Sequence, residues 1–137
     1  MAEQPPKEAA DLPLTPEIVA NLKRLALSRN ETAPLAQFRL GEIYELGEDP
    51  IGLDRKQALR FYRMCAERGA IGCQLGLGRT LVADSLHRVE AMAWLELAAE
   101  GGSEDAKRLF ADELLFTTAE QLKKARVLKI SLVIQPR

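Results

Sequence analysis

One motif occurs twice in the chain, and it constrains the fold more than anything else. Ala58-x-x-Phe61-Tyr62-x-x-Cys65-Ala66-Glu67-x-Gly69 lines up with Ala91-x-x-Trp94-Leu95-x-x-Ala98-Ala99-Glu100-x-Gly102, at an offset of 33 residues throughout. Upstream, Leu40-Gly41 lines up with Leu77-Gly78 at an offset of 37, so the second unit has a connection four residues shorter than the first. Cys73 maps to Ala106 and Leu77-Gly78 to Phe110-Ala111, so a third unit opens at Ser103 and decays toward the C-terminus. A helical unit of this length cannot bury its own apolar face, so successive units must cover one another. The expectation is an all-α protein: a short right-handed solenoid of αα-hairpins with capping helices at both ends.

Local signals agree with helices. Thr15-Pro16-Glu17 combines an N-cap, a proline at the first helical position and an early acid. Ile18, Leu22 and Leu25 follow as one apolar stripe. Thr118 to Gln121 has capping-box spacing, and Ser103 followed by Glu104 and Asp105 opens another helix. Gly41 and Gly78 lie inside helical patterns, where glycine costs about 1 kcal/mol relative to alanine unless a neighbouring backbone must come close. The resulting division is a disordered leader over residues 1–13 and one helical-repeat domain over 14–137. The domain comprises a cap helix 15–29, repeats at 33–69 and 70–102, a terminal hairpin 103–129 and, from the alternation in KISLVI, an extended tail 130–137, with about seven helices in all.

These residues carry a resemblance. Ala36-Gln37-Phe38-x-Leu40-Gly41-x-x-Tyr44-x-x-Gly47, followed by Ile51-x-x-Asp54-x-Lys56-x-Ala58-x-x-Phe61-Tyr62 and Ala66-x-x-Gly69, resembles the Sel-one-like repeat, a relative of the tetratricopeptide repeat, over about residues 33–129. Ala111, where the third unit needs its glycine, departs from the pattern. The resemblance implies that Phe38, Tyr44, Phe61, Tyr62 and Trp94 fill the layers between hairpins. It also implies that Gly69 and Gly102 end helices in the left-handed conformation. Functionally it implies a non-enzymatic scaffold or adaptor that binds another protein or peptide.

Composition excludes several alternatives. Nineteen basic residues stand against twenty acidic ones, a formal net charge of −1. No like-charge run points to nucleic acid or to an anionic membrane, and no apolar stretch is long enough for membrane insertion. Catalytic material is sparse. The single histidine, His87, has no cysteine or paired carboxylates at ligand spacing, so neither a metal nor a cofactor is expected. Leu75 to Arg79 reads LGLGR, but it lies in a helix with no preceding strand and is no phosphate cradle. The alternative is a small hydrolase or a ligand-binding, penicillin-binding-like protein; no Ser-x-x-Lys motif supports it.

Surface recognition remains. In the solenoids this chain resembles, the first helix of each hairpin lines a concave face. Its outward positions are expected to be Gln37, Arg39, Glu42 and Glu45, then Gln74, Gly76, Arg79 and Val82, then Lys107, Leu109, Asp112 and Leu115. Glu42, Arg79 and Asp112 are equivalent by offset and are expected to stack as an acid–base–acid row. That row reads either as an intramolecular ion ladder or as a stripe that orients a partner. Val82, Leu109 and Leu115 are its apolar anchors. The isolated protein is expected to be a monomer.

The chain's two cysteines, Cys65 and Cys73, stand eight positions apart. In one continuous helix they would lie about 12 Å apart, too far to bond. In the repeat reading the chain reverses between them, and Ala98 and Ala106 hold the same places one unit later. The spacing also resembles that of cysteine-rich bacterial members of the family, where such a pair staples adjacent hairpins. The expectation is therefore a disulfide, and with it a periplasmic or secreted location after signal-peptide removal. The alternative is two reduced, alanine-like cysteines in a cytoplasmic protein.

Overall fold

The computed structural model describes residues 13–133; the N-terminal leader, except Pro13, lies outside them. Seven α-helices and one 3-10 turn form the described part: α1 (Pro16–Ala26), α2 (Ala33–Leu46), α3 (Arg55–Ala66), α4 (Ile71–Val82), the turn Ser85–His87, α5 (Arg88–Glu100), α6 (Glu104–Leu114) and α7 (Ala119–Val133). The chain is a set of stacked helical hairpins, α2 with α3 and α4 with α5, with α1 packed on α2.

The caps follow from local chemistry. The Thr15 hydroxyl accepts from Ile18 N–H, the Asp54 carboxylate from Gln57 N–H and the Ser103 hydroxyl from Ala106 N–H, each relieving a helix-terminal donor. Thr118 and Gln121 form the reciprocal capping box at the start of α7. Gly69 and Gly102 have φ of 93° and 108°, the left-handed conformation that only glycine adopts cheaply.

The core has two parts. The larger runs from Val19 through Tyr44, Phe61, Tyr62 and Cys65 to Trp94, joining α1 to α5. The smaller gathers Met92, Ala93, Leu95 and Ala125, with Leu109 and Phe110 packed against it. Tyr62 is fully buried. It lies in a slot cut by two glycines: a Cβ on Gly41 or on Gly76 would come within 2.5 Å of its ring. No side chain fits at either position while the tyrosine is there. Gly78 meets Leu95 in the same way, at 2.7 Å.

Two expectations at the C-terminus need correction. Residues 130–133 are helical, because α7 continues to Val133 instead of giving way to an extended tail; residues 134–137 lie outside the described part. Apolar/polar alternation over so few residues does not distinguish a strand from the last turn of a helix whose other face is packed. The terminal hairpin is also not a hairpin. α7 packs on α5 rather than on α6. Ala125 is its buried contact, and Glu96 of α5 holds both Arg126 and Lys129.

Candidate functional site

The first helices of successive units touch, α2 with α4 and α4 with α6. Together they form the inner face of the array. On α2 this face carries Pro34, Leu35, Phe38, Glu42 and Glu45, which recur at helical spacing. On α4 it carries Gly72, Gly76 and Arg79 in the same way, with Ala83 just past the helix end.

Several candidate residues turn out to be structural. Gln37 and Gln74 were expected to face outward, but both are buried. Gln37 Nε2 donates to Ala26 O at 2.8 Å, and Gln74 Nε2 donates to Ala66 O at 3.3 Å. The two glutamines occupy one repeat position. Each satisfies a carbonyl at the end of the preceding helix, where no intrahelical donor remains. The side-chain amide supplies a donor there, and apolar periodicity carries no sign of it. Gly76 is likewise buried, against Tyr62. Val82 and Leu109 are partly buried and pack on the core, so they are not free anchors.

The charged residues form a different pattern from the expected row. Arg79 binds Glu45 rather than Glu42, through Nε to Oε2 at 2.6 Å and Nη2 to Oε1 at 2.7 Å. The Tyr62 hydroxyl donates to the same carboxylate at 2.7 Å. Burial opposes ionisation of Glu45, but the hydrogen bonds from Arg79 and Tyr62 outweigh it and hold the carboxyl below its ordinary range. Arg79 is correspondingly raised, first by its hydrogen bond to Glu45, and the Tyr62 phenol is pushed up by burial and then by Glu45. A recess of about 210 Å³ opens beside this cluster, bordered by Leu53, Arg55, Thr80 and Ala83. Arg39 pairs in bidentate fashion with Glu48 in the following loop, at 2.6 and 2.8 Å. Glu42 comes only within 4.0 Å of Arg39, and its carboxyl is raised, mainly by burial. Asp112 and Leu115 are exposed on α6 and just beyond it.

At the opposite end of the α2–α4 seam, Pro34, Leu35, Phe38, Ala70, Gly72 and Cys73 line an apolar recess of about 200 Å³. The sequence reading missed this feature; the missing side chain at Gly72, facing Phe38, was its only local signal. A further hollow, of about 610 Å³, lies along α7 beside Ala119, Lys123 and Val127, and is bordered by that helix alone among the described residues.

Cys65 and Cys73 are joined by a disulfide with a Cα–Cα distance of 5.7 Å. The bond ties the end of α3 to the first turn of α4. His87 is exposed in the 3-10 turn, with Nε2 3.5 Å from Asp84 Oδ2. No cluster of three metal-ligating side chains occurs among the described residues, and none of their helices is long and apolar enough to cross a membrane.

Stacked αα-hairpins with touching first helices and glycine-ended second helices define a helical-repeat protein of the tetratricopeptide-like class. Residues 34–69 and 73–103 each match the Sel1 repeat family model, and the chain belongs to that family. No curated protein and no solved structure matches it. Sel1 repeats generally mediate protein–protein interaction and are typically non-enzymatic modules.

Proposed function

We propose that this protein is a non-enzymatic adaptor that holds a segment of a partner protein on the concave face of its repeat array. The observation that supports this most directly is the α2–α4 seam. The Glu45–Arg79–Tyr62 cluster fixes its backbone geometry at one end, and an open apolar recess remains at the other. A pre-formed surface of this kind binds without first having to be ordered. Leu35, 72% exposed in the first turn of α2, lies on the rim of that recess.

We infer further that the protein works as a monomer in an oxidising compartment, periplasmic or extracellular; the disulfide between α3 and α4 supports the location. Non-reducing thiol counting on protein taken directly from its native source tests it. Two free thiols there overturn the compartment. Affinity capture from the same source with three proteins tests the face. The wild type should capture a partner, Leu35→Glu should lose it, and Lys56→Glu, exposed on α3, should retain it. A partner retained by Leu35→Glu and lost by Lys56→Glu would move the site to the other face.

A further inference from the structure

The concave face has an uneven charge once its internal pairs are removed. Arg39 is taken by Glu48, Arg79 by Glu45, Lys107 by Glu104 and Arg108 by Asp105. Two carboxylates remain on the row, Glu42 on α2 and Asp112 on α6, and no cation on it is left over. Glu42 has only the 4.0 Å approach of an arginine already engaged elsewhere. Asp112 is exposed and takes part in no ion pair among the described residues. Arg55 is in no ion pair among the described residues, but it lies off the row, at the rim where α3 begins. Burial raises the Glu42 carboxyl, so its charge is poorly compensated by the fold itself.

The apolar recess lies on the Glu42 side of this row. Phe38, on its wall, is one helical turn before Glu42, about 6 Å along the axis. Glu42 and Asp112 are equivalent positions on helices two steps apart in the stack, which at 8–10 Å per step separates them by about 18 Å. An extended strand spans that distance in about five residues.

We propose that the occupant of the concave face is an extended, basic segment of a partner protein, with one large apolar side chain in the Phe38–Gly72 recess and two cationic side chains on Glu42 and Asp112. This rests on the concave-face reading above and adds its chemistry. The charges set the orientation and the rate of encounter, and the apolar anchor supplies most of the affinity.

Two fluorescent peptides of about nine residues test it by anisotropy titration. The basic probe carries phenylalanine, a lysine two positions on and a second lysine about five residues further; its twin has glutamate for each lysine. The basic probe should bind at least about tenfold tighter than the twin, and added salt should weaken it. Glu42→Gln combined with Asp112→Asn should cost about tenfold in affinity and remove most of the salt dependence. Gly72→Leu should abolish binding by filling the recess. A Cβ there meets Phe38 at 3.4 Å, an ordinary contact, so the fold tolerates it. Circular dichroism confirms that each variant is folded. Equal or tighter binding of the acidic twin, no binding of either peptide, or indifference to the double substitution overturns the proposal. If the captured partner still depends on Leu35 when that happens, only the basic chemistry falls; if it does not, the concave-face reading falls as well.

Discussion

The junction between the two full repeats and the junction between the second repeat and α6 use equivalent positions in opposite ways. At the first, a large ring faces an empty position, Tyr62 against Gly76; at the second, the same places hold Leu95 and Leu109, two side chains of middle size. Gln74 latches Ala66 O at the first, whereas Lys107 in the same place is exposed. Glu45 grips Arg79 across the first, whereas Val82 and Asp112 stand in those positions at the second and form no such pair. A disulfide crosses the first, and Ala98 and Ala106 cross the second. The first junction is fixed by directional, polar and covalent links. The second has one polar link, Arg88 of α5 to Glu113 of α6 at 3.0 Å, and otherwise depends on apolar packing and on α7 folding back over α5. Exposed apolar residues collect near this second junction, with Leu115 at 83% and Phe116 at 69% exposure. Directional links resist shear between hairpins, which apolar contact alone does not, so the first junction is the one suited to holding a binding seam in shape.

The largest test of this contrast removes the ring. Tyr62→Ala should cost about 3–5 kcal/mol in urea unfolding, since it empties a closed slot and leaves Glu45 short of a donor. The second junction can be given the first one's design. Leu95→Tyr alone should cost about 1–3 kcal/mol from overpacking, and Leu109→Gly should recover part of that loss in a double-mutant cycle. Strict additivity would show that the two junctions do not share one packing rule.

Next comes the staple. Replacing Cys65 and Cys73 by alanine should cost about 2–3 kcal/mol from the loop-entropy term for so short a loop. Ala98→Cys with Ala106→Cys should oxidise readily and stabilise the second junction by a similar amount; failure to bond would mean that the two crossings differ in backbone geometry.

Smaller effects come from the charges. Arg79→Ala should destabilise by about 1–2 kcal/mol, because Glu45 keeps its partial burial and loses its cation. Arg126→Ala should have no measurable effect, because Lys129 still holds Glu96 at 2.8 Å.

The pH dependence separates the carboxylates further. For Glu45, Glu90 and Glu96, burial opposes ionisation but is outweighed by hydrogen bonds from basic partners, so their folded pKa values lie below the ordinary 4.5. The stability they contribute is present above that value and is lost as pH falls through the lower folded values. Glu42 has the opposite sign. Its folded pKa is raised, so its ionised form is a small burden at neutral pH that is relieved on acidification. Glu45→Gln should therefore flatten the acid side of a stability-versus-pH curve. Glu42→Gln should raise neutral-pH stability by no more than about 0.5 kcal/mol. A fall in stability on Glu42→Gln would mean that this carboxylate is paired after all.

Much of this architecture was legible in the residues. The offset of 33 identified the hairpins, Gly69 and Gly102 marked the helix ends, and Thr15, Ser103 and Thr118 marked starts that the hydrogen bonds bear out. The candidate binding face was legible only in part. Helical periodicity located the helices of the inner face, but it could not say which of several polar residues on them turn inward. Gln37 and Gln74 look like surface residues in a sequence, and only the helix-terminal carbonyls beside them explain why they are buried.

Except for the last turn of α7, the sequence by itself determined the local pattern: which segments are helical, where they end, and that each unit must cover the next. Those properties depend on near neighbours along the chain, through caps, glycine conformations and apolar spacing. The tertiary structure decided the partners. It set Arg79 on Glu45 instead of Glu42, closed the Cys65–Cys73 bond, and laid α7 on α5 instead of α6. A shift of one helical turn, about 5.4 Å, changes which charges meet, and that shift is fixed by how side chains such as Tyr62 seat between helices.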